Sequence, residues 1–291
     1  MFNGTYTAIV TPFTRGKLDE AALEVLIREQ LKAGVDGIVP VGTTGESPTL
    51  SMQEHVRVVA LTVAFAGNQT RVMAGTGANA TAEAIELTRA AEEAGAHASL
   101  QVAPYYNRPT QEGLFQHFRA VAGATALPIV LYSIPGRCGV EIGIETVQRL
   151  AERCKNVVGI KEAGGNPDRV SQLRQAMGKG FSILSGDDAL TLPFMAVGAD
   201  GVVSVASNII PKPVVQMVRS FAAGQPGAAL RVHERYYKLF KALFIETNPV
   251  PVKAALAMMG MMREEPRLPL VPMSKKHRPG LKKILQELDL V

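Results

Sequence analysis

The run Val157-Val158-Gly159-Ile160 reads as a strand buried on both faces, and Lys161 follows it without a break. An amine at that place points into, or onto the rim of, an apolar cavity. Burial disfavours the ammonium form and leaves a neutral amine that can attack a carbonyl and form a Schiff base. The alternative is a rim lysine paired with Glu162 or an aspartate, and position alone does not separate the two. Tyr132 closes another apolar run; its phenol either passes protons during carbinolamine formation and dehydration or packs in the core. Thr43 and Thr44, set in Gly-Thr-Thr-Gly, offer hydroxyls and backbone N–H groups at a tight turn suited to a small carboxylate. Arg137, in a Pro-Gly-Arg turn, is either a bidentate clamp for a second carboxylate or a surface turn arginine.

Other chemistries fit poorly. The five histidines contain no HxxxH or HxH pair, and Asp187-Asp188 stands without further ligands, so no metal and no cofactor is expected. The Thr43-Thr44 turn lacks the Gly-Lys-Ser/Thr ending of a phosphate-binding loop. Cys138 and Cys154 have no histidine cluster near them and are expected as free thiols. Met258, Met259, Met261 and Met262 read as a soft helix-packing cluster.

These side chains must be positioned by something, and the strongest organisational signal is alternation. Short apolar runs begin near Thr7–Val10, Gly37–Val41, Arg71–Ala74, Ala98–Val102, Pro128–Tyr132, Val157–Ile160, Phe181–Leu184 and Gly201–Val205. Between them lie segments of helical periodicity. Ser51 to Phe65 places Met52, Val56, Val59, Ala60 and Val63 on one stripe, and Ser51 with Glu54 makes a capping box. Three helical segments end alike, at Gly34, Gly95 and Gly198, each a glycine cap turning into the next strand. Continuous apolar strands require parallel pairing under covering helices, and eight βα units are the count for a closed (β/α)8 barrel; a doubly wound open sheet is the alternative. In a barrel, chemistry stands on the carboxyl ends of the strands. Thr43, Thr44, Thr76, Tyr105, Tyr106, Lys161, Glu162, Asp187 and Asp188 come just as such runs expire, and the fifth run ends in Tyr132 with Arg137 five residues further on. Residues 1–224 read as the catalytic barrel and residues 225–291, where helical patterns replace strand signals, as a C-terminal helical extension.

The 291 residues, 47% hydrophobic and 20% charged, exclude disordered and fibrous classes. The longest apolar run, Ala254 to Met262, is about half of what spanning a bilayer needs, and no signal peptide is evident, so a soluble cytoplasmic protein is expected. The net charge of +5 divides unevenly: from Arg263 onward seven Lys/Arg stand against four Asp/Glu. No aromatic residue interleaves with Lys275-Lys276-His277-Arg278, so that run reads as a solvated face and not a nucleic-acid patch.

Five motifs occur together and in order: Gly42-Thr43-Thr44-Gly45-Glu46, Tyr105-Tyr106-Asn107-Arg108-Pro109, Tyr132 through Pro135-Gly136-Arg137, Gly159-Ile160-Lys161-Glu162 and Ser185-Gly186-Asp187-Asp188. On these the chain resembles the pyruvate-dependent class I lyase/aldolase superfamily, and within it is similar to the dihydrodipicolinate synthase family. The resemblance implies that Lys161 forms a Schiff base with pyruvate, whose enamine attacks the aldehyde of aspartate semialdehyde, the first committed step towards diaminopimelate and lysine. It implies a proton relay of Tyr132, Thr44 and Tyr106, with Tyr106 reaching into a neighbouring subunit. Thr43 and Thr44 would hold the pyruvate carboxylate and Arg137 that of the semialdehyde, while Gly186 and Val203 would line the pocket. It further implies a homotetramer built from dimers, and an L-lysine inhibitor site at Ser47, Pro48, His55, Asn79, Glu83 and Tyr105. Ser133, Cys138, Pro48 and Met52 depart from common family residues. Arg137 favours a short dicarboxylate over the longer substrates of sugar-acid aldolases. A catalytically silent sensor has little reason to keep Lys161, Tyr132, Thr44 and Arg137 together.

Overall fold

Eight parallel strands close on themselves in the computed structural model, which describes all 291 residues. They are β1 (Gly4–Ala8), β2 (Gly37–Val39), β3 (Arg71–Gly75), β4 (Ala98–Val102), β5 (Ile129–Ser133), β6 (Val157–Glu162), β7 (Ser182–Ser185) and β8 (Gly201–Ser204). Each pairs with its sequence neighbour, and β1 pairs with both β2 and β8, so the closed barrel stands and the open sheet does not. Seven helices alternate with the strands: α1 (Glu20–Ala33), α2 (Met52–Ala66), α3 (Thr81–Glu93), α4 (Gln111–Ala122), α5 (Ile144–Arg153), α6 (Pro167–Met177) and α7 (Thr191–Ala196). After β8 come α8 (Pro211–Ala222), α9 (Pro226–Ala242), α10 (Val250–Met258) and α11 (Arg278–Glu287).

The capping signals act as the residue types require, but α2 buries His55, Val58, Val59, Leu61, Thr62 and Ala66, leaving Met52, Val56, Ala60 and Val63 of the expected stripe half-buried. Ser51 and Glu54 form a reciprocal capping box at the start of α2. Gly34, Gly95 and Gly198 take φ of 73°, 84° and 111°, the left-handed turn that carries each helix end into a strand. Strand pleating divides the apolar residues into two clusters. Tyr6, Val39, Met73, Leu100, Val130, Tyr132, Leu184 and Val203 fill the barrel interior. Ile38, Leu131, Ile160, Ile183 and Val202 point outward into a larger core shared with the helices, including Leu239, Phe240 and Leu256 of α9 and α10 and, partly buried, all four clustered methionines.

Several strand boundaries differ from expectation, β2 among them, which ends two residues early at Val39. β1 ends at Ala8, two residues before its apolar run does, because beyond it the N–H of Val10 is taken by the Asn208 side chain at 3.1 Å. β8 stops at Ser204, with the N–H groups of Val205 and Ala206 turned to Asp188 at 3.0 and 2.9 Å. β6 continues through Lys161 and Glu162, so the amine stands inside the strand. No helix is long and apolar enough to cross a membrane. Cys138 and Cys154 are buried free thiols. The basic C-terminal run is partly neutralised: His277 Nδ1 lies 2.7 Å from Glu246, and Arg278 pairs with Glu264.

Candidate active site

The orientation of Lys161 begins with an irregularity in β6. The register against β5 shifts between Ile129 and Val130, a bulge that re-aims the residues beyond it. Past the bulge Ile160 packs outward, Lys161 faces the barrel interior, and Glu162 faces outward again. Glu162 is therefore not the lysine's partner. Its carboxylate receives Arg169 Nε at 2.8 Å and the Gly164 N–H at 2.7 Å. Burial pushes the Glu162 carboxyl up from its ordinary value, with Arg169 working against that. Lys161, 6% exposed, has neither ion pair nor hydrogen bond to the protein; its Nζ stands 4.0 Å from the centroid of the Tyr132 ring, its register partner across β5 and β6.

Gly186 lies against the lysine, where a Cβ would stand 3.1 Å from Lys161 Cε. Tyr132 and Val203 belong to the interior cluster. Above them a cavity of about 190 Å³ is walled by Thr43, Gly75, Gly77, Tyr105, Tyr132, Arg137 and Cys138, among others. Thr44 is buried beside this wall, its Oγ1 accepting a hydrogen bond from Asn248 Nδ2 at 3.0 Å. Arg137 stands in a single helical turn, Pro135–Cys138; it has no carboxylate partner and donates to the Asn248 carbonyl oxygen at 3.1 Å. An arginine without an acid partner in the wall of a small cavity, and an unpaired buried lysine against the Tyr132 ring of that wall, form a setting for an anionic carbonyl compound. Burial pushes the Cys138 thiol up to about 11, which makes it a poor nucleophile here.

A second cavity of about 290 Å³ shares Ser47, Pro48, Gly77 and Tyr105 with the first. His55, Asn79, Glu83 and Met52 also stand in its wall, with Leu50, Ala78 and Leu87, so the residues expected to form an effector site do come together. His55 Nε2 lies 2.9 Å from the Gly75 carbonyl oxygen, and burial lowers the imidazole to about 4, so the ring is neutral. Burial, then the neighbouring Glu83, raises the Tyr105 phenol. Tyr106 stands apart: it is 91% exposed, has φ 72°, and walls neither cavity.

Asp188 is spent on the Val205 and Ala206 N–H groups just beyond β8 and on the Ser204 hydroxyl, and burial raises it to about 6. Thr76 joins Thr88, Ser99 and Gln101 in a buried hydroxyl network. Sequence reasoning missed Asn248 and Lys253 of the C-terminal segment. Asn248 touches Thr44 and Arg137, while Lys253, fully buried, pairs with Glu46 of the Gly-Thr-Thr-Gly-Glu motif. The signal was available in part: a lysine inside the apolar stretch Val250–Met258 needs a buried anion.

Comparison with known proteins agrees with this geometry. The model of the dihydrodipicolinate synthetase family matches residues 1–288. A 4-hydroxy-tetrahydrodipicolinate synthase of Persephonella marina is 50% identical over 292 residues, covering all of both chains. The solved structure of the corresponding synthase from Methylacidiphilum fumariolicum SolV is 57% identical, with TM-score 0.98 over 99% of this chain and 96% of that one. A lysine-bound structure of the enzyme from Cyanidioschyzon merolae is 42% identical, with TM-score 0.96 over 100% and 99% of the two chains.

Proposed function

The chain belongs to the dihydrodipicolinate synthetase family, and from that premise we propose how its side chains carry out the reaction. Its activity is that of a 4-hydroxy-tetrahydrodipicolinate synthase, a Schiff-base-forming carbon–carbon lyase/synthase that condenses pyruvate with L-aspartate 4-semialdehyde. Lys161 is the nucleophile. Its Nζ adds to the keto carbon of pyruvate, and the carbinolamine loses water to give the imine. Removal of a methyl proton gives the enamine, whose carbon forms the new bond to the aldehyde. The amino group of the added fragment then displaces Lys161 as the ring closes. The observation that carries this assignment is the buried, unpaired amine over the Tyr132 ring.

Tyr132 exchanges protons with the carbinolamine, and Thr44 connects it to Tyr106 of a neighbouring copy. Thr43 and Thr44 hold the pyruvate carboxylate, Arg137 the semialdehyde carboxylate, and Gly186 and Val203 bound the pocket. Borohydride reduction in the presence of pyruvate, read by peptide mass, tests the nucleophile. A pyruvyl adduct on any peptide other than the one holding Lys161, or no adduct, removes the mechanism.

The exposure of Tyr106 supports assembly, because a relay phenol facing solvent needs a second chain to give it a site. A homotetramer of two dimers meets that need. Mixing Lys161→Ala subunits with Tyr106→Phe subunits should restore activity in mixed dimers, where one site regains both groups; no recovery on subunit exchange sinks the shared site. The second cavity suits L-lysine, with Glu83 opposite the ligand's ammonium and with three wall residues besides a glycine shared with the first cavity. An unchanged steady-state rate at millimolar lysine would rule that out. Two free buried thiols fit a reducing cytoplasm.

A further inference from the structure

The turn that carries Thr43 and Thr44 has a backbone its own residues disfavour. Val41 has φ 50° and Glu46 has φ 55°. Both are left-handed residues with side chains, one of them β-branched, and such conformations persist only where the surroundings over-determine them. The surroundings of Glu46 come from the other end of the chain. Its side chain is fully buried; Lys253 Nζ donates to Oε1, and the Arg267 N–H donates to Oε2 at 2.9 Å.

Lys253 is fully buried on α10, 4.3 Å from the centroid of the Phe13 ring, and its other donor contact is the Glu265 carbonyl oxygen at 3.0 Å. A buried ion pair is weak evidence for stability, since desolvation offsets most of its attraction and apolar residues fill the same space as well. What a charge pair adds is specificity: it fixes one register of two segments. Here those segments are the carboxylate-binding turn and the C-terminal extension. The same extension also reaches Thr44 directly through Asn248 Nδ2.

We propose that Lys253 is a positioning residue for pyruvate: through Glu46 it locks the Thr43–Thr44 turn, so the C-terminal extension completes a site whose reacting groups all stand on the barrel. The inference rests on the reading that Thr43 and Thr44 take the pyruvate carboxylate. Lys253 does not touch substrate. Arg137 is held through the Asn248 carbonyl oxygen and has no bond to Glu46 or Lys253, so removing the Lys253–Glu46 pair weakens one substrate and spares the other.

The test uses the full chain carrying Lys253→Met, with circular dichroism to establish folding. The pyruvate concentration for half-maximal borohydride trapping on Lys161 is expected to rise at least tenfold, with the semialdehyde KM within twofold of the parent. Lys253→Arg, which keeps the charge, should recover part of the loss. A folded Lys253→Met that traps at parental pyruvate concentration overturns the proposal, as does an equal rise in both KM values. Should Lys253→Met not fold, Glu46→Gln keeps the shape and the Arg267 contact while removing the charge, and the same selective rise is required of it. Thr43→Ala and Thr44→Val separate the two ideas: parental trapping in both removes the carboxylate reading, whatever Lys253 does.

Discussion

A single methyl group at Gly186 tests whether close packing aims the amine of Lys161, the proposed nucleophile. An ideal Cβ there stands 2.6 Å from Ala163 Cβ, 3.1 Å from Lys161 Cε and 3.2 Å from the Glu162 carbonyl oxygen. Carbon atoms rest at about 3.5–4.0 Å, so Ala163 must yield by roughly 1 Å and Lys161 by roughly half that. Neither backbone is free to move: Ala163 N donates to Ser133 O at 2.9 Å, and Gly186 N to Glu162 O at 2.8 Å. Overpacking of this kind costs about 1–3 kcal/mol. In a domain this large each kcal/mol lowers Tm by roughly 2–4 °C. Misplacing a reacting group by about 1 Å costs on the order of 100-fold, so half that displacement predicts about a tenfold slower trapping of pyruvate. The assay is the rate of borohydride-reduced adduct in Gly186→Ala, in Ala163→Gly and in the double variant, with calorimetry alongside. Ala163→Gly should restore most of the lost Tm in the double variant, since it removes the nearest clash. It should restore only part of the rate, because the approach to Lys161 Cε remains. A Gly186→Ala protein with lowered Tm but parental trapping rate would show that the lysine is not aimed by this contact.

Other perturbations separate the remaining roles. Arg137→Ala should lower kcat/KM for the semialdehyde by roughly 10- to 150-fold, the equivalent of about 1.5–3 kcal/mol for a charge-assisted pair, and leave pyruvate trapping intact; unchanged semialdehyde kinetics would remove the clamp. Ser51→Ala breaks the capping box of α2 and should destabilise by about 1 kcal/mol in urea titration without altering trapping, whereas no loss of stability would discount the cap. His55 and His117 are held by burial at about 4, well below the usual 6.5, so the unfolded chain takes up their protons first. Their contribution is complete above pH 6.5 and is lost as pH falls towards 4, about 2 kcal/mol each by pH 5; equal urea midpoints at pH 7 and pH 5 would contradict it.

The barrel was legible because each βα unit repeats one physical problem: a strand covered on both faces, then a helix with one apolar stripe, then a glycine turn. Where β1 and β8 stopped short of their apolar runs, a side chain had replaced a strand as hydrogen-bond partner. Val10 is as apolar as the residues before it, yet its N–H belongs to Asn208, nearly two hundred residues away. Lys161 was legible because polarity changes abruptly after Ile160, although the bulge that turns it inward leaves no mark in the sequence. Thr43 and Thr44 were visible as a motif; what holds them was not. Asn248 and Lys253 reach that turn across more than two hundred residues, a pairing no local period encodes. Tyr106 was visible at the end of a strand run, but its role in a neighbouring chain came from resemblance alone, since an exposed tyrosine in one chain carries no local sign of a role in another.

The two buried lysines argue for each other's roles. Lys253 meets a carboxylate and a carbonyl oxygen, and although burial pulls its ammonium below the ordinary value, Glu46 opposes that pull. A lysine buried for architecture is supplied with an anion, because an unpaired ammonium in that setting is costly. Lys161 is nearly as buried and has only the face of an aromatic ring, while the nearest carboxylate in sequence, Glu162, is turned outward to Arg169. The chain thus contains the means to neutralise a buried lysine and does not apply them at Lys161. A fold that keeps so costly a residue unpaired violates its own packing rule at one place, and such violations mark where reactivity outweighs stability. The net charge of +5, gathered towards the C-terminus, has no part in this. What matters is that one interior amine lacks the partner given to the other.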